Sequence, residues 1–357
     1  MSGRISGVQA KLKEQCPSAL YVHCGNHALD LVLQEVAREV RVVADTLNFV
    51  RSVSVVVGES SKRKMLFQSM FGDDEAVCNL LSLCPTRWAV RTRAISRVVS
   101  SYTALFQTLK MLEQDKTVRG DTRAKVSGLY KQATKAKTYF GLLCCEALFG
   151  PCETVARALQ SEKASAKGAL ECVSALRQHM HGLREDGFIQ EMTAKVAACA
   201  ERNNLKMPLP PLINRTPARL RDTEETEAIV TDVGEQQWRR EFYEALDLVT
   251  TKLDRRFDQE GLQVAALREQ TVINAANGEY SGTREITAAQ VPDQFDKSRL
   301  HMQLTLLGNL SKTKGLKDSS RRCRIHRSTA SSNQGTSDRS GKVDRTLSMS
   351  TCLCCYL

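Results

Sequence analysis

Cys24 and His27 stand on a C-x-x-H spacing within YVHCGNHALDLVLQ, residues 21–34. A thiol and an imidazole so spaced suggest half of a zinc site, or a nucleophile with its base. Structural zinc takes four ligands, usually from two such pairs. No second pair at finger spacing is present: His179 and His181 are two apart, Cys144 and Cys145 are adjacent, and Cys352, Cys354 and Cys355 crowd the end of the chain. A cysteine hydrolase would need a third group to orient the base and an oxyanion site. Asp30 is one turn beyond His27, but nothing in the sequence marks it as that group. The remaining reading is a local packing junction, so neither a metal nor a catalytic residue is expected here.

The second chemical stretch is CPTRWAVRTRA, residues 84–94. Thr86 can cap the helix that follows. Arg87 and Trp88 place a guanidinium beside a large flat ring, with Arg91 and Arg93 close behind. Cations that hold phosphates next to a stacking surface are what a protein needs to grip distorted or unpaired DNA. The competing reading makes Trp88 a core residue.

The elements around these stretches read as helices. Leu29, Leu33, Val36, Val40, Val43, Leu47 and Val50 advance in steps of three and four, which predicts one helix with a continuous apolar stripe. The preceding Ala19-Leu20-Tyr21-Val22-His23 is short, apolar and rich in β-formers, and is expected to be a buried strand delivering the Cys24–His27 turn. A second long helix is expected after Trp88, carried by Ile95, Val98, Tyr102, Leu105, Leu109 and Leu112. Lys116, Arg119, Arg123, Lys125, Lys131, Lys135 and Lys137 then run against Asp121 alone, a solvated face or an extension of the arginine-bearing region.

Helical patterning continues through 139–200. Between 205 and 237 the texture changes: Pro208, Pro210, Pro211 and Pro217 and an acidic patch mark a linker. Order resumes in 238–257, where Trp238, Phe242, Leu246, Val249, Leu253 and Phe257 share one helical face and are expected in a core. Residues 318–357 lack apolar periodicity, are dominated by Ser, Thr and Arg, and are expected to be disordered. Arg321, Arg322, Arg324 and Arg327 would form an electrostatic arm if that tail is native; an accidental tail from a changed reading frame is the alternative.

Composition narrows the classes. The 357 residues are 42% hydrophobic, enough for a sizeable core. A net charge of +11 favours an acidic partner such as nucleic acid over an anionic small molecule. The polar opening MSGRISGVQAKLKEQ does not read as a secretory leader, so the 13 cysteines are expected as reduced thiols in a nuclear or cytoplasmic protein. Arg41, Asp45 and Arg51 interrupt the most apolar stretch, and no membrane association is expected.

Taken in order, SGVQAKLKE, YVHCGNHALDLVL and CPTRWAVRTRAI resemble the hAT superfamily of DNA transposases and the host proteins derived from them. The likeness is greatest to the transposase-like region of zinc-finger MYM-type proteins and of the THAP-related repressor of the inhibitor of the protein kinase. WRREFYEALDLVTTKLDRRFDQEGLQVAALREQTVINAANG, residues 238–278, is similar to the later helical part of that region, and the likeness covers about residues 1–317.

The resemblance implies a mainly α fold: the helical insertion domain of an RNase H-like architecture with only a remnant of its β core, followed by a disordered C-terminal tail. It implies four segments: residues 1–204, a truncated core and insertion; 205–237, a linker; 238–317, a helical continuation; and 318–357, the tail. It assigns Cys24 and His27 to the junction of core and insertion, and Arg87 and Trp88 to the handling of a flipped base. One departure is Asp30 where the family often has Asn, which argues against a direct DNA contact there.

In such enzymes three carboxylates hold two divalent metals for in-line attack on a phosphodiester. The resemblance implies acids before Met1-Ser2-Gly3 and after Lys317, where the sequence turns into the Ser/Arg-rich tail instead, so all three are expected to be missing. Asp73-Asp74-Glu75 and Glu224-Glu225 are paired carboxylates in polar surroundings that read as solvated loops. The expectation is a catalytically inactive, transposase-derived module binding nucleic acid or protein partners, with no cofactor and no small-molecule substrate. The alternative is a fragment of a decayed or mis-predicted gene without function of its own; an active metal-dependent nuclease is the least favoured reading.

Overall fold

The computed structural model describes residues 7–71, 79–83, 88–161, 164–208, 233–289, 291–292 and 295–313. The chain is mainly helical, as the apolar periodicity predicts. In order, α1 (Val8–Gln15), α2 (Gly25–Glu39), α3 (Arg41–Gly58), α4 (Ser61–Gln68), α5 (Trp88–Ser100), α6 (Tyr102–Gln114) and α7 (Gly120–Ala133) form the first half. They are followed by α8 (Ala136–Leu159), α9 (Ala166–Gly182), α10 (Asp186–Asn203), α11 (Val233–Phe257), α12 (Glu260–Asn277), α13 (Thr283–Ala288) and α14 (Lys297–Thr313). The only β pairing among the described residues is an isolated bridge between Lys135 and Lys206. No helix among them is long and apolar enough to cross a membrane.

The chain divides into two units. The larger comprises residues 25–160 and 173–256 and is built around α8. Phe140, Leu142, Leu143, Cys144, Cys145, Leu148, Phe149 and Cys152 are all buried, so α8 is apolar around most of its circumference. It is the central helix of this unit, and α2, α3, α5, α7 and α10 pack against it. Gly141 is needed there: a Cβ at that position would meet Thr46 Oγ1 at 2.2 Å.

Both apolar stripes read from the sequence are buried, but neither lies on one helix. The first is broken at Val40, which takes an extended conformation (φ −93°, ψ 112°) between α2 and α3. The second is broken at Ser101 (φ −105°, ψ 19°), whose hydroxyl donates to the Arg97 carbonyl at 2.6 Å. A β-branched residue and a serine that bonds its own backbone both weaken a helix locally. The stripe survives each break because the residues on either side remain buried.

The aromatic face of α11 is buried as expected, from Trp238 through Phe242, Leu246, Val249 and Leu253 to Phe257. Trp238 stacks on Phe140 with ring centroids 4.9 Å apart, and Phe242 stacks on Phe188 at 5.6 Å. Ion pairs flank these contacts: Lys137 with Glu241 at 2.5 Å, Arg239 with Asp186 at 2.8 Å, and Arg177 with Asp254 at 2.7 Å.

The second unit comprises residues 1–24, 161–172 and 257–357. Its described core joins Ala275, Ile286, Leu300 and Leu304, with Val272, Tyr280, Val291 and Leu307 around them. α12 and α14 approach closely at Gly308, where a Cβ would stand 2.7 Å from the Ala275 carbonyl oxygen. α12 ends at Gly278 in the left-handed region (φ 78°), a conformation glycine adopts without a side-chain penalty.

The buried strand expected at Ala19–His23 is absent. These residues form no regular element, and Leu20, Tyr21 and Val22 are 39%, 36% and 41% exposed. A strand needs a neighbour to satisfy its backbone, and the described residues of this unit supply none. The segment lies instead against α12: the His23 N–H donates to Gln259 Oε1 at 2.8 Å, and Gly261 lets the Tyr21 carbonyl approach where a Cβ would come within 2.3 Å. The β-core remnant implied by the resemblance therefore has no counterpart among the described residues.

Candidate nucleic-acid interface

α5 opens at Trp88, and its setting against the larger unit decides where its arginines stand. Ala94, Ile95 and Val98 are buried, and the Thr92 hydroxyl donates to the Phe149 carbonyl of α8 at 3.3 Å. These contacts fix the inner face of the helix. Arg93 and Arg97 fall on the exposed side, whereas Arg91 is half-buried. Arg87 and Thr86 lie outside the described residues, as does the side chain of Trp88, whose backbone begins the helix.

Arg91 has an acidic neighbour. Burial pushes the Asp30 carboxyl above its ordinary value of 3.8, while a hydrogen bond from Gln34 at 2.7 Å, the Arg91 guanidinium and His27 pull the other way. A desolvated carboxylate favours nearby cations. Asp30 thus offsets part of the charge that Arg91 brings to the opening of α5.

Arg91 also lines an open cavity of about 210 Å³ that sequence reading did not anticipate. Ala37 from α2, Ala44, Leu47, Asn48 and Arg51 from α3, and Leu83 complete its wall. Among the described lining residues, two arginines and one amide stand on an otherwise apolar surface, with no carboxylate. Asn48 and Arg51 are exposed polar positions on a helix whose other faces are largely buried. Their exposure was legible from the apolar stripe; their proximity to Arg91 was not, because about forty residues of intervening chain set it.

The C-x-x-H pair falls where the chain passes from one unit to the other: Cys24 is the last residue of one segment and Gly25 the first of the next. Cys24 and His27 are both exposed, and His27 lies in the first turn of α2. Among the described residues no three His, Cys, Asp or Glu side chains come together to hold a metal ion. The basic run ends on α7 and the start of α8, with Arg123, Lys125 and Lys131 exposed and Lys137 engaged by Glu241. Asp73-Asp74-Glu75, Glu224-Glu225 and the tail arginines lie outside the described residues. No family model, no curated protein and no solved structure matches this chain.

Proposed function

We propose that this chain is a catalytically inactive, transposase-derived helical module that binds nucleic acid in the nucleus through the opening of α5. The observation that carries the reading is the setting of that helix. Its inner face is held by Thr92, Ala94 and Ile95, which leaves Arg93 exposed and places Arg91 at an open cavity with no carboxylate among its described lining residues. A basic helix start fixed on a rigid core suits phosphate contacts, because the guanidiniums are positioned before the ligand arrives. Arg87 and Trp88 immediately precede these positions and would supply a cation and a stacking surface for an unpaired base.

The test compares wild type with Trp88→Ala on hairpin or flapped DNA and on plain duplex, across a salt series. Selective loss of the distorted substrates is expected. Equal binding by both proteins would sink the Arg87–Trp88 assignment, since a general basic surface shows a salt slope without dependence on the ring. A magnesium-dependent nicking assay checks the second half of the reading, and turnover lost on substitution of Asp73, Asp74 or Glu75 would overturn it.

A further inference from the structure

We propose that the cavity between α2, α3 and α5 seats a backbone phosphate of the bound DNA, held by Arg51 and Arg91 with the Asn48 amide as a third donor. The inference rests on the nucleic-acid reading above and extends the contact surface to α3, to residues that the arginine-tryptophan stretch does not contain.

The cavity wall supplies the argument. Arg51 and Arg91 reach it from different helices, so two guanidiniums border one space, with Asn48 one turn before Arg51 on α3. Their forks each carry parallel N–H donors that match phosphate oxygens. Like charges facing one cavity repel, and an anion between them turns that repulsion into attraction. Ala37, Ala44, Leu47 and Leu83 form the remainder of its described lining, an apolar surround that screens charge less than bulk water does. A protein carboxylate could neutralise such a pair from within, but none is among the described residues that line the cavity. Asp30 acts on Arg91 from α2, and Arg51 stands exposed at the same cavity wall.

Phosphate, rather than a base, is the part of DNA this lining fits. Among its described residues it presents donors and positive charge, and no aromatic ring on which a base could stack. Contacts of this kind hold the protein in register on the nucleic acid without reading its sequence.

The test measures binding of the full-length chain to flapped and duplex DNA against salt concentration for wild type, Arg51→Gln, Asn48→Asp, Arg41→Gln and Trp88→Ala. Arg51 is exposed, so its substitution leaves the core intact. Arg51→Gln is expected to weaken binding on both substrates equally and to reduce the salt slope by about 0.9, the release of one phosphate's counterions. Asn48→Asp, which adds a carboxylate to the seat, is expected to weaken binding further. Arg41 is exposed at the other end of α3 and pairs with Asp45 at 3.8 Å, so Arg41→Gln is expected to leave the slope near that of wild type. An unchanged slope for Arg51→Gln, together with selective loss for Trp88→Ala, would overturn the phosphate seat and leave the nucleic-acid reading standing. A wild-type chain that binds neither DNA would overturn both.

Discussion

Lys252 Nζ lies 2.8 Å from Glu35 Oε2 and 3.1 Å from Glu39 Oε1, so one ammonium of α11 bridges two carboxylates a turn apart on α2. Arg256, one turn later on α11, also pairs with Glu35. The α11 helix is thus tied to the beginning of the larger unit across more than two hundred residues of sequence. Glu35 is buried, and a buried carboxylate is tolerable only when its charge is met in this way.

Glu35 gives the fold a defined acid sensitivity. Its hydrogen bond with Lys252, and then the bond and charge of Arg256, hold the carboxyl below its ordinary value of 4.5 against the opposing effect of burial. As pH falls through 4.5 the unfolded chain takes up the proton before the folded one does, and the stabilisation drains away. Glu35→Gln is expected to be less stable than wild type at neutral pH, with the gap constant above 4.5 and shrinking below it. Urea unfolding midpoints from about pH 7 to about pH 3 check this. A gap that keeps its full size in acid would show that the ion pair is not its source.

The aromatic face of α11 provides the contrasting case, a contribution without pH dependence. Phe242 is fully buried and stacks on Phe188, so Phe242→Ala is expected to cost about 3–5 kcal/mol through lost contacts and the cavity left behind. Glu244 is on the exposed side of the same helix, and Glu244→Ala is expected to fall within about 0.5 kcal/mol of wild type. Similar costs for the two would mean that α11 does not bury the face described here.

Which residues are buried was legible in the sequence; where the helices break was not. The stripe from Leu29 to Val50 names buried positions correctly, because periodicity records the side that leaves water. It runs unbroken through Val40 because the residues on both sides are buried, so a change of helix axis leaves no gap in the pattern. The strand expected at Ala19–His23 shows the converse limit: local β preference predicts a strand only if a partner exists, and partners are long-range facts. At the candidate interface, Arg91 and Arg93 were legible as cations at a helix start, but not that Arg91 is half-buried. Arg51 and Asn48 were missed because their approach to Arg91 depends on how α3 and α5 cross.

The cysteines divide by environment, and their reactivity should follow. Burial drives the thiols of Cys145 and Cys152 up to about 12, and that of Cys144 upward as well. Cys16 and Cys24 are exposed. Because the thiolate is the reactive species and must be reached, native alkylation followed by mass spectrometry is expected to label Cys16 and Cys24 before Cys144, Cys145 and Cys152. Cys144, Cys145 and Cys152 are expected to resist until the chain is unfolded. Rapid labelling of Cys152 in the native protein would contradict the central position of α8.

Asp30 tests the electrostatics of the interface from the opposite direction to Arg51. Its carboxyl is held above 3.8 mainly by burial, so near neutral pH the folded state carries a desolvated charge that the unfolded chain does not. Asp30→Asn removes that cost and keeps a side chain able to bond Gln34, so its thermal midpoint is expected to equal or exceed that of wild type. The same change releases Arg91 from an acidic neighbour, and binding to DNA is expected to tighten at low salt on all substrates alike. Tightening without loss of stability would place Asp30 as a brake on the basic surface. Weaker binding by a folded Asp30→Asn protein would show that the carboxylate orients Arg91 rather than opposing it, and the electrostatic account of the site would fail.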